Sequence, residues 1–167
     1  MEKDIDAALA DIAENREIII GRLIDFSMTD MLLFWGINKE LAERQKQLWQ
    51  PILDWMQDEI NVKFITTSGL DVPRQDDIIV SQMRLFLKGL NDKQLLAFFK
   101  AALNMRSVLL AAALVKGRLT ADAAFEAAFV EEIWQAENWG VVDEAESRRN
   151  DLKKELVEIE NFLKSAA

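Results

Sequence analysis

The sequence contains no cysteine and no histidine. Without cysteine it can form no disulfide framework and perform no thiol chemistry. Without histidine it lacks the commonest general base and metal ligand, which zinc sites, di-iron bundles and Ser-His triads require. It also has neither an aspartate-rich calcium loop nor a glycine-rich phosphate loop. We therefore expect a protein that binds no metal and no cofactor and that is not an enzyme.

Glycine and proline are scarce, at six and two of 167 residues, which favours long uninterrupted helices. Half of the residues are apolar and 29% are charged, as is typical of a globular chain with a buried core. The net charge of −9 argues against a nucleic-acid partner, because phosphate binding needs clustered cations. The longest apolar run, over residues 108–115, is too short to span a bilayer, and no signal peptide is visible. We expect a soluble, intracellular protein without membrane insertion.

The spacing of the apolar residues predicts a mainly α fold, a multihelical bundle that forms a single domain over residues 1–167. Asn91 with Gln94, and Asp143 with Glu146, are predicted capping boxes. Residues 62–73 break the helical period, and their β-branched residues predict one short extended segment or hairpin. The predicted helices cover approximately residues 4–26, 30–35, 39–60, 77–89, 92–116, 121–139 and 143–164.

Pro51 lies inside the predicted helix 39–60. A proline there removes one backbone hydrogen bond and clashes with the carbonyl four residues earlier, that of Gln47. The sequence therefore predicts a bend or break between Gln47 and Pro51, with Trp49 and Trp55 packed around it.

The predicted helix 92–116 is apolar nearly all round, which is typical of a central, buried helix. Its polar members, among them Arg106, need partners or an exposed edge. Gly117 is expected to end this helix and Gly140 to end the next one. Four side chains of this helix are predicted to be buried: Phe98, Leu103, Leu109 and Leu110.

The segment 130–140 carries polar side chains close to an apolar stripe. On one continuous helix Glu132 lies in the middle of the apolar face and Gln135 at its edge, while Val130 and Trp134 point to the opposite side. A carboxylate within an apolar stripe is costly unless it is paired or lies at a rim. The segment is therefore either a satisfied polar core site, with Arg106 as a candidate partner, or a surface for a partner. The predicted apolar face comprises Phe125, Ala128, Phe129, Ile133, Ala136 and Trp139.

Several separated stretches resemble one family in their order and spacing over nearly the whole chain. That family is the assembly chaperones of the catalytic head of F-type ATP synthase, in the branch that binds the alpha subunit. The sequence departs from the family pattern at residues 34–36 and at Ile133, and nothing in it can supply the β-rich N-terminal domain that members carry. It is therefore similar to the C-terminal helical domain alone. The matching stretches are 29–32, 44–45, 49–55, 67–69, 72–73, 107–119, 131–140, 143–144 and 148–149.

The resemblance implies an ATP-independent chaperone that binds newly made alpha subunit and covers the apolar face later used by the beta subunit. It would act in the bacterial cytoplasm, or in the mitochondrial matrix of eukaryotic relatives. The family's important glutamate best matches Glu131, whereas the helical wheel indicates Glu132, so both stay candidates. The predicted client-binding residues are Glu131, Glu132, Gln135 and Trp139, and the predicted structural motif residues are Trp49, Pro51, Trp55, Gly117 and Gly140.

An alternative without chaperone activity is a helical interaction or dimerisation module. The last predicted helix has one thin apolar stripe that could join two copies of the chain. Its members are Leu152, Leu156, Ile159 and Leu163.

Overall fold

The computed structural model describes residues 2–165, and the side chains of residues 5–165. Met1 and the last two residues of the predicted domain lie outside this range. Nine α-helices and one 3₁₀ turn form within it and no β-strand does, so the predicted mainly α, multihelical fold is confirmed. The helices are α1 Glu2–Glu14, α2 Arg16–Ser27, α3 Lys39–Ile60, α4 Ile78–Lys88, α5 Asp92–Met105, α6 Val108–Val115, α7 Ala121–Ala128, α8 Val130–Trp139 and α9 Asp143–Lys164, and the 3₁₀ turn is Met31–Leu33.

The helix α6 lies at the centre, because all of its eight residues are buried. It is surrounded by α2, α3, α5, α7 and α9. The predicted burial of Phe98, Leu109 and Leu110 is confirmed. The predicted burial of Leu103 is wrong, because 59% of its surface is exposed.

The predicted helix 92–116 is in fact two helices, α5 and α6. Arg106 adopts the left-handed conformation, with φ of 57°, and this ends α5. The hydroxyl of Ser107 then accepts a hydrogen bond of 3.1 Å from the amide of Leu110 and caps α6. The polar pair at 106–107 thus marks a helix boundary rather than a polar site within one helix.

A second predicted helix, 4–26, is also divided, at Asn15. Its side-chain amide donates to the carbonyl of Asp11 at 3.0 Å, and such local bonds compete with regular helix geometry. The next residue, Arg16, binds Asp92 at 2.8 Å and the carbonyl of Leu90. These bonds attach the start of α2 to the turn between α4 and α5.

Pro51 does not break α3, which continues from Lys39 to Ile60. The predicted break is therefore wrong. Pro51 is exposed, so the carbonyl that it leaves unpaired can turn towards water. Trp49 faces the core, and its indole N–H donates to the carbonyl of Ala127 at 2.8 Å. Trp55 is half-buried and packs edge-on against Phe86.

The predicted hairpin near residues 62–73 does not form. The extended segment instead makes one parallel β-bridge, between Phe34 and Thr67. The amide of Trp35 donates to the Thr67 carbonyl and the Thr67 amide to the Leu33 carbonyl, both at 2.8 Å. The segment pairs with the 3₁₀ turn and not with itself, which is why no hairpin arises.

The predicted ends of the later helices are partly confirmed. Gly117 and Gly140 follow helix ends with φ of 72° and 98°, a region that favours glycine. The predicted capping box at Asp143 is wrong, because Val142 occupies the N-cap position without a side-chain hydrogen bond.

The apolar stripe of α9 packs inside the molecule, against α5 and α7. Leu156 and Ile159 are buried, and Leu152 and Leu163 pack against the same core. A dimer joined through this stripe is therefore contradicted.

Candidate functional site

The helices α7 and α8 meet at Phe129, where φ is −111° and ψ is 19°. This break rotates α8 relative to α7, so the predicted face is only partly confirmed: Ala128 and Phe129 are buried and Ile133 packs against the core. Val130 and Trp134, which were predicted to point away from the apolar face, are buried. Trp139, which was predicted to lie on that face, is 73% exposed.

The exposed side of α8 carries three of the four predicted client-binding residues. Glu131, Gln135 and Trp139 follow one another at intervals of four residues, so they line one face of the helix. The side chains of Glu131 and Gln135 make no hydrogen bond or ion pair with any residue that the structure describes. Trp139 packs edge-on against Trp134, with ring centroids 5.1 Å apart. We call Glu131, Gln135 and Trp139 the α8 stripe.

The apolar part of this surface continues beyond the helix. Val141 and Val142 follow Gly140 and are exposed. They lead directly into α9, whose first residue is Asp143. The α8 stripe thus ends in a short apolar segment that is open to solvent.

The fourth predicted residue, Glu132, is used inside the molecule. It lies 2.8 Å from Arg148 and 3.7 Å from Arg149, both on α9. Arg149 is buried, so Glu132 supplies the charge that compensates it. The pairing of Glu132 with Arg106 that the sequence suggested is wrong, because Arg106 is exposed and forms no ion pair within residues 2–165.

A second ion pair fixes α8 from the other side. Glu137 lies 2.7 Å from Arg44 of α3, and this hydrogen bond raises the pKa of the Arg44 guanidinium. The next residue of α3, Gln45, is buried and accepts a hydrogen bond of 2.7 Å from the amide of Gly36. With Trp134 buried beneath and ion pairs on two flanks, the α8 stripe is presented on a rigid support.

Sequence reasoning missed Asp30, which is buried at the start of α6. Its carboxylate accepts four hydrogen bonds, from the amides of Leu32, Val108 and Leu109 and from the hydroxyl of Ser107, at 2.6–3.2 Å. Burial outweighs these bonds and raises the pKa of Asp30 from 3.8 to about 6. Through its bond with the amide of Leu32, Asp30 also caps the 3₁₀ turn.

The sequence contained a signal for the contact between Asp30 and Ser107. The stretches 29–32 and 107–119 both carry the family resemblance, and the structure brings them together at Asp30 and Ser107. Next to them lies a cavity of about 460 Å³ between α2 and α5. Nothing in the sequence pattern had indicated that cavity.

Residues 2–165 contain no group of three or more acidic side chains that could hold a metal ion. No helix in this range is long and apolar enough to cross a bilayer.

Comparison with known proteins shows what this chain is similar to. The model of the ATP12 chaperone protein family matches residues 2–57. The mitochondrial protein atp12 of Schizosaccharomyces pombe is 27% identical over 151 residues, which cover 86% of this chain and 52% of that protein. The chain thus spans about half the length of this curated relative.

Two solved structures share the fold. Atp12 from Paracoccus denitrificans is 26% identical with a TM-score of 0.88, and the match covers 94% of this chain and 68% of that chain. A protein from Agrobacterium tumefaciens is 28% identical with a TM-score of 0.86, over 96% and 61% of the two chains. In sequence and in helical fold the chain is therefore similar to chaperones of the ATP12 family.

Proposed function

We propose that this chain is a chaperone for assembly of the proton-translocating ATP synthase and that it holds the unassembled alpha subunit. Similarity to the ATP12 chaperone family supports an assembly role. The choice of the alpha subunit rests on the resemblance of the separated sequence stretches described above. Holding would need neither ATP nor a catalytic step, because binding energy alone keeps an apolar interface away from solvent.

The observation that carries the proposal is the α8 stripe. Trp139 is a large aromatic side chain in solvent, and tryptophan is enriched among the residues that dominate binding energy at interfaces. Glu131 and Gln135 lie on the same face without partners among the described residues. They can therefore bind donors of a client without first giving up bonds of their own.

The physical need for such a chaperone follows from the interface that it would cover. A subunit whose obligate interface is exposed before its partner arrives can self-associate through that apolar surface. An exposed tryptophan beside a carboxylate and an amide gives the mixed apolar and polar surface that is typical of transient interfaces. Val141 and Val142 extend the apolar part of the contact.

The test is suppression of alpha-subunit aggregation by the purified chain, followed by light scattering after dilution from denaturant. We expect scattering to fall as chaperone is added and to reach its minimum near one chaperone per alpha subunit, with no nucleotide present. The beta subunit serves as the control client, because a general apolar binder would protect both. Equal protection of both subunits, or of neither, would contradict the proposal.

Two further parts of the proposal concern the domain organisation of the chain and the compartment in which it acts. We propose that residues 1–167 act as a single helical domain. The site of action would be the cytoplasm of a bacterium or the mitochondrial matrix of a eukaryote. Limited proteolysis that yields one resistant fragment of nearly full length would support the first part, and two stable fragments would contradict it.

A further inference from the structure

A groove lies between α2 and α5, and it shares no residue with the α8 stripe. Ile18, Arg22 and Phe26 follow one another at intervals of four residues along α2, so they share one face. Across from them α5 contributes Phe99 and Leu103 to the cavity wall. Ile18, Phe26 and Leu103 are each more than half exposed.

The helices α2 and α5 both pack on α6, and the groove lies between them, beside the first residue of α6, Val108. The space of about 460 Å³ that is left between α2 and α5 lies in the usual size range of ligand pockets.

The lining is apolar, and its polar floor is already satisfied. Leu23, Ala102 and Val108 complete the walls. Asp30 and Ser107 lie at the floor, where they bind each other and the first amides of α6. They therefore offer no free group that would bind an occupant, so recognition must come from the apolar walls and from the charges around them.

Two arginines supply positive charge beside the apolar walls of the groove. Arg22 and Arg106 both line the groove and are exposed, and neither guanidinium group forms an ion pair or hydrogen bond with the described part of the chain. The chain as a whole carries a net charge of −9. The two unpaired guanidinium groups beside the cavity, by contrast, bring positive charge to this part of the surface. A guanidinium group pairs best with a carboxylate, which it can bind through two parallel hydrogen bonds.

We propose that this groove binds a second segment of the client, one that carries large apolar side chains next to an aspartate or glutamate. The inference rests on the proposed function and adds a second contact with the client. This contact is made by positive charges, whereas the α8 stripe presents the negative charge of Glu131. A small amphiphile held within the cavity would leave the outward parts of Phe26 and Leu103 in water. An occupant that covers them must be larger than the cavity, as a protein segment is.

Overlapping synthetic peptides that cover the alpha subunit test the groove, with dissociation constants measured by fluorescence anisotropy against the full chain. We expect at least one peptide with apolar residues beside a carboxylate to bind. Changing Arg22→Glu together with Arg106→Glu should weaken it about tenfold or more, the scale measured for close charge pairs at interfaces. Leu103→Ser should also weaken it, whereas Arg74→Glu, an exposed arginine outside the groove, should leave it within about twofold.

A charge exchange makes the test more specific. A binding peptide whose carboxylate is replaced by lysine should lose affinity for the native chain and regain it for the doubly reversed variant. Because Arg22 and Arg106 are exposed, the melting temperature should be unchanged, which separates a binding defect from misfolding. If no peptide depends on these residues while the native chain still suppresses alpha aggregation, the groove inference fails and the proposed function stands.

Other occupants are distinguished in the same series. Dodecanoate that binds only when Arg22 and Arg106 are present, together with no responsive peptide, would assign the groove to a small amphiphile and overturn the inference. A dimer in sedimentation that Leu103→Ser dissociates would assign it to a second copy of the chain, and would equally overturn it. If a responsive peptide binds but alpha aggregation is not suppressed, the groove inference stands and the holding function fails.

Discussion

At the scale of single residues, the two neighbouring glutamates of α8 have different surroundings. The side chain of Glu131 is exposed and forms no hydrogen bond or ion pair with the described residues. The side chain of Glu132 binds Arg148 and lies beside the buried Arg149. Adjacent helical residues point about 100° apart, so one can face solvent while the other faces α9. This difference separates a binding role from a structural one.

We predict that Glu131→Gln leaves the melting temperature unchanged and weakens the suppression of alpha-subunit aggregation. The substitution keeps the size of the side chain and removes its charge, so a client defect would be electrostatic. Glu158→Gln is the matched control, since Glu158 is exposed on α9 and unpaired among the described residues. A variant at Glu131 that melts several degrees lower and still holds the client normally would make Glu131 a structural residue.

Glu132→Gln is predicted to act mainly on stability. It removes the charge that compensates Arg149, and the cost should lie between that of an exposed and of a buried ion pair, roughly 1–2 kcal/mol. Denaturant unfolding at neutral pH measures this loss. If stability is unchanged and client binding is lost, Glu132 is a client-binding residue and not a structural one.

Asp30 predicts a pH dependence of folding. Its pKa is about 6 in the folded protein and 3.8 as a model value, so between these pH values the folded state keeps a proton that the unfolded state has released. Stability contributed by Asp30 is therefore present in full below pH 3.8 and falls as the pH rises to about 6, by about 3 kcal/mol in total.

The test compares unfolding free energies between pH 4 and pH 7 for the native chain and for Asp30→Asn. The variant cannot titrate at this position, so its stability should fall less over this range. Asp25→Asn, at an exposed position of α2, should keep the slope of the native chain. Identical slopes for Asp30→Asn and the native chain would show that Asp30 ionises at the same pH in both states.

At the scale of elements, α5 and α6 divide one apolar stretch into a partly exposed and a fully buried helix. Leu103 near the end of α5 faces the groove, while Leu109 in α6 is completely buried. The turn at Arg106 and Ser107 changes the direction of the chain between them. Two leucines six positions apart are thus in opposite environments.

We predict that Leu109→Ala costs about 2–5 kcal/mol of unfolding free energy, because it leaves a cavity in the core. The same substitution at Leu103 should change stability by no more than about 0.5 kcal/mol, as at other surface positions. Parallel urea titrations of the two variants measure the difference. Equal losses would mean that α6 is not the centre of the core.

At the scale of the whole molecule, the stripe of α9 is covered by α5 and α7, so the chain does not need a second copy to bury it. We predict that the midpoint of thermal unfolding does not change over a hundredfold range of protein concentration. An obligate dimer would melt at higher temperature as the concentration rises. Leu156→Ala should lower the midpoint by the same amount at every concentration, since Leu156 packs within its own chain.

The sequence by itself determined the features that depend on neighbouring residues. Helical periodicity, the capping box at Asn91 and the glycine at 117 are local, and they are found where the pattern predicted them. The absence of cysteine and histidine likewise excluded whole classes of chemistry. These inferences need only short-range sterics, hydrogen bonding and the chemistry of the residue types.

Only the tertiary structure decided where the chain turns between helices and which side of α8 faces solvent. A left-handed arginine costs free energy, and the turn at Arg106 is stabilised by Asp30, 76 positions earlier, which binds the amides that begin α6. The break at Phe129 similarly places Trp134 in the core and Trp139 in water. Contacts between distant residues choose among conformations that are locally close in free energy, and this is why the α8 stripe and the groove could not be predicted from spacing alone.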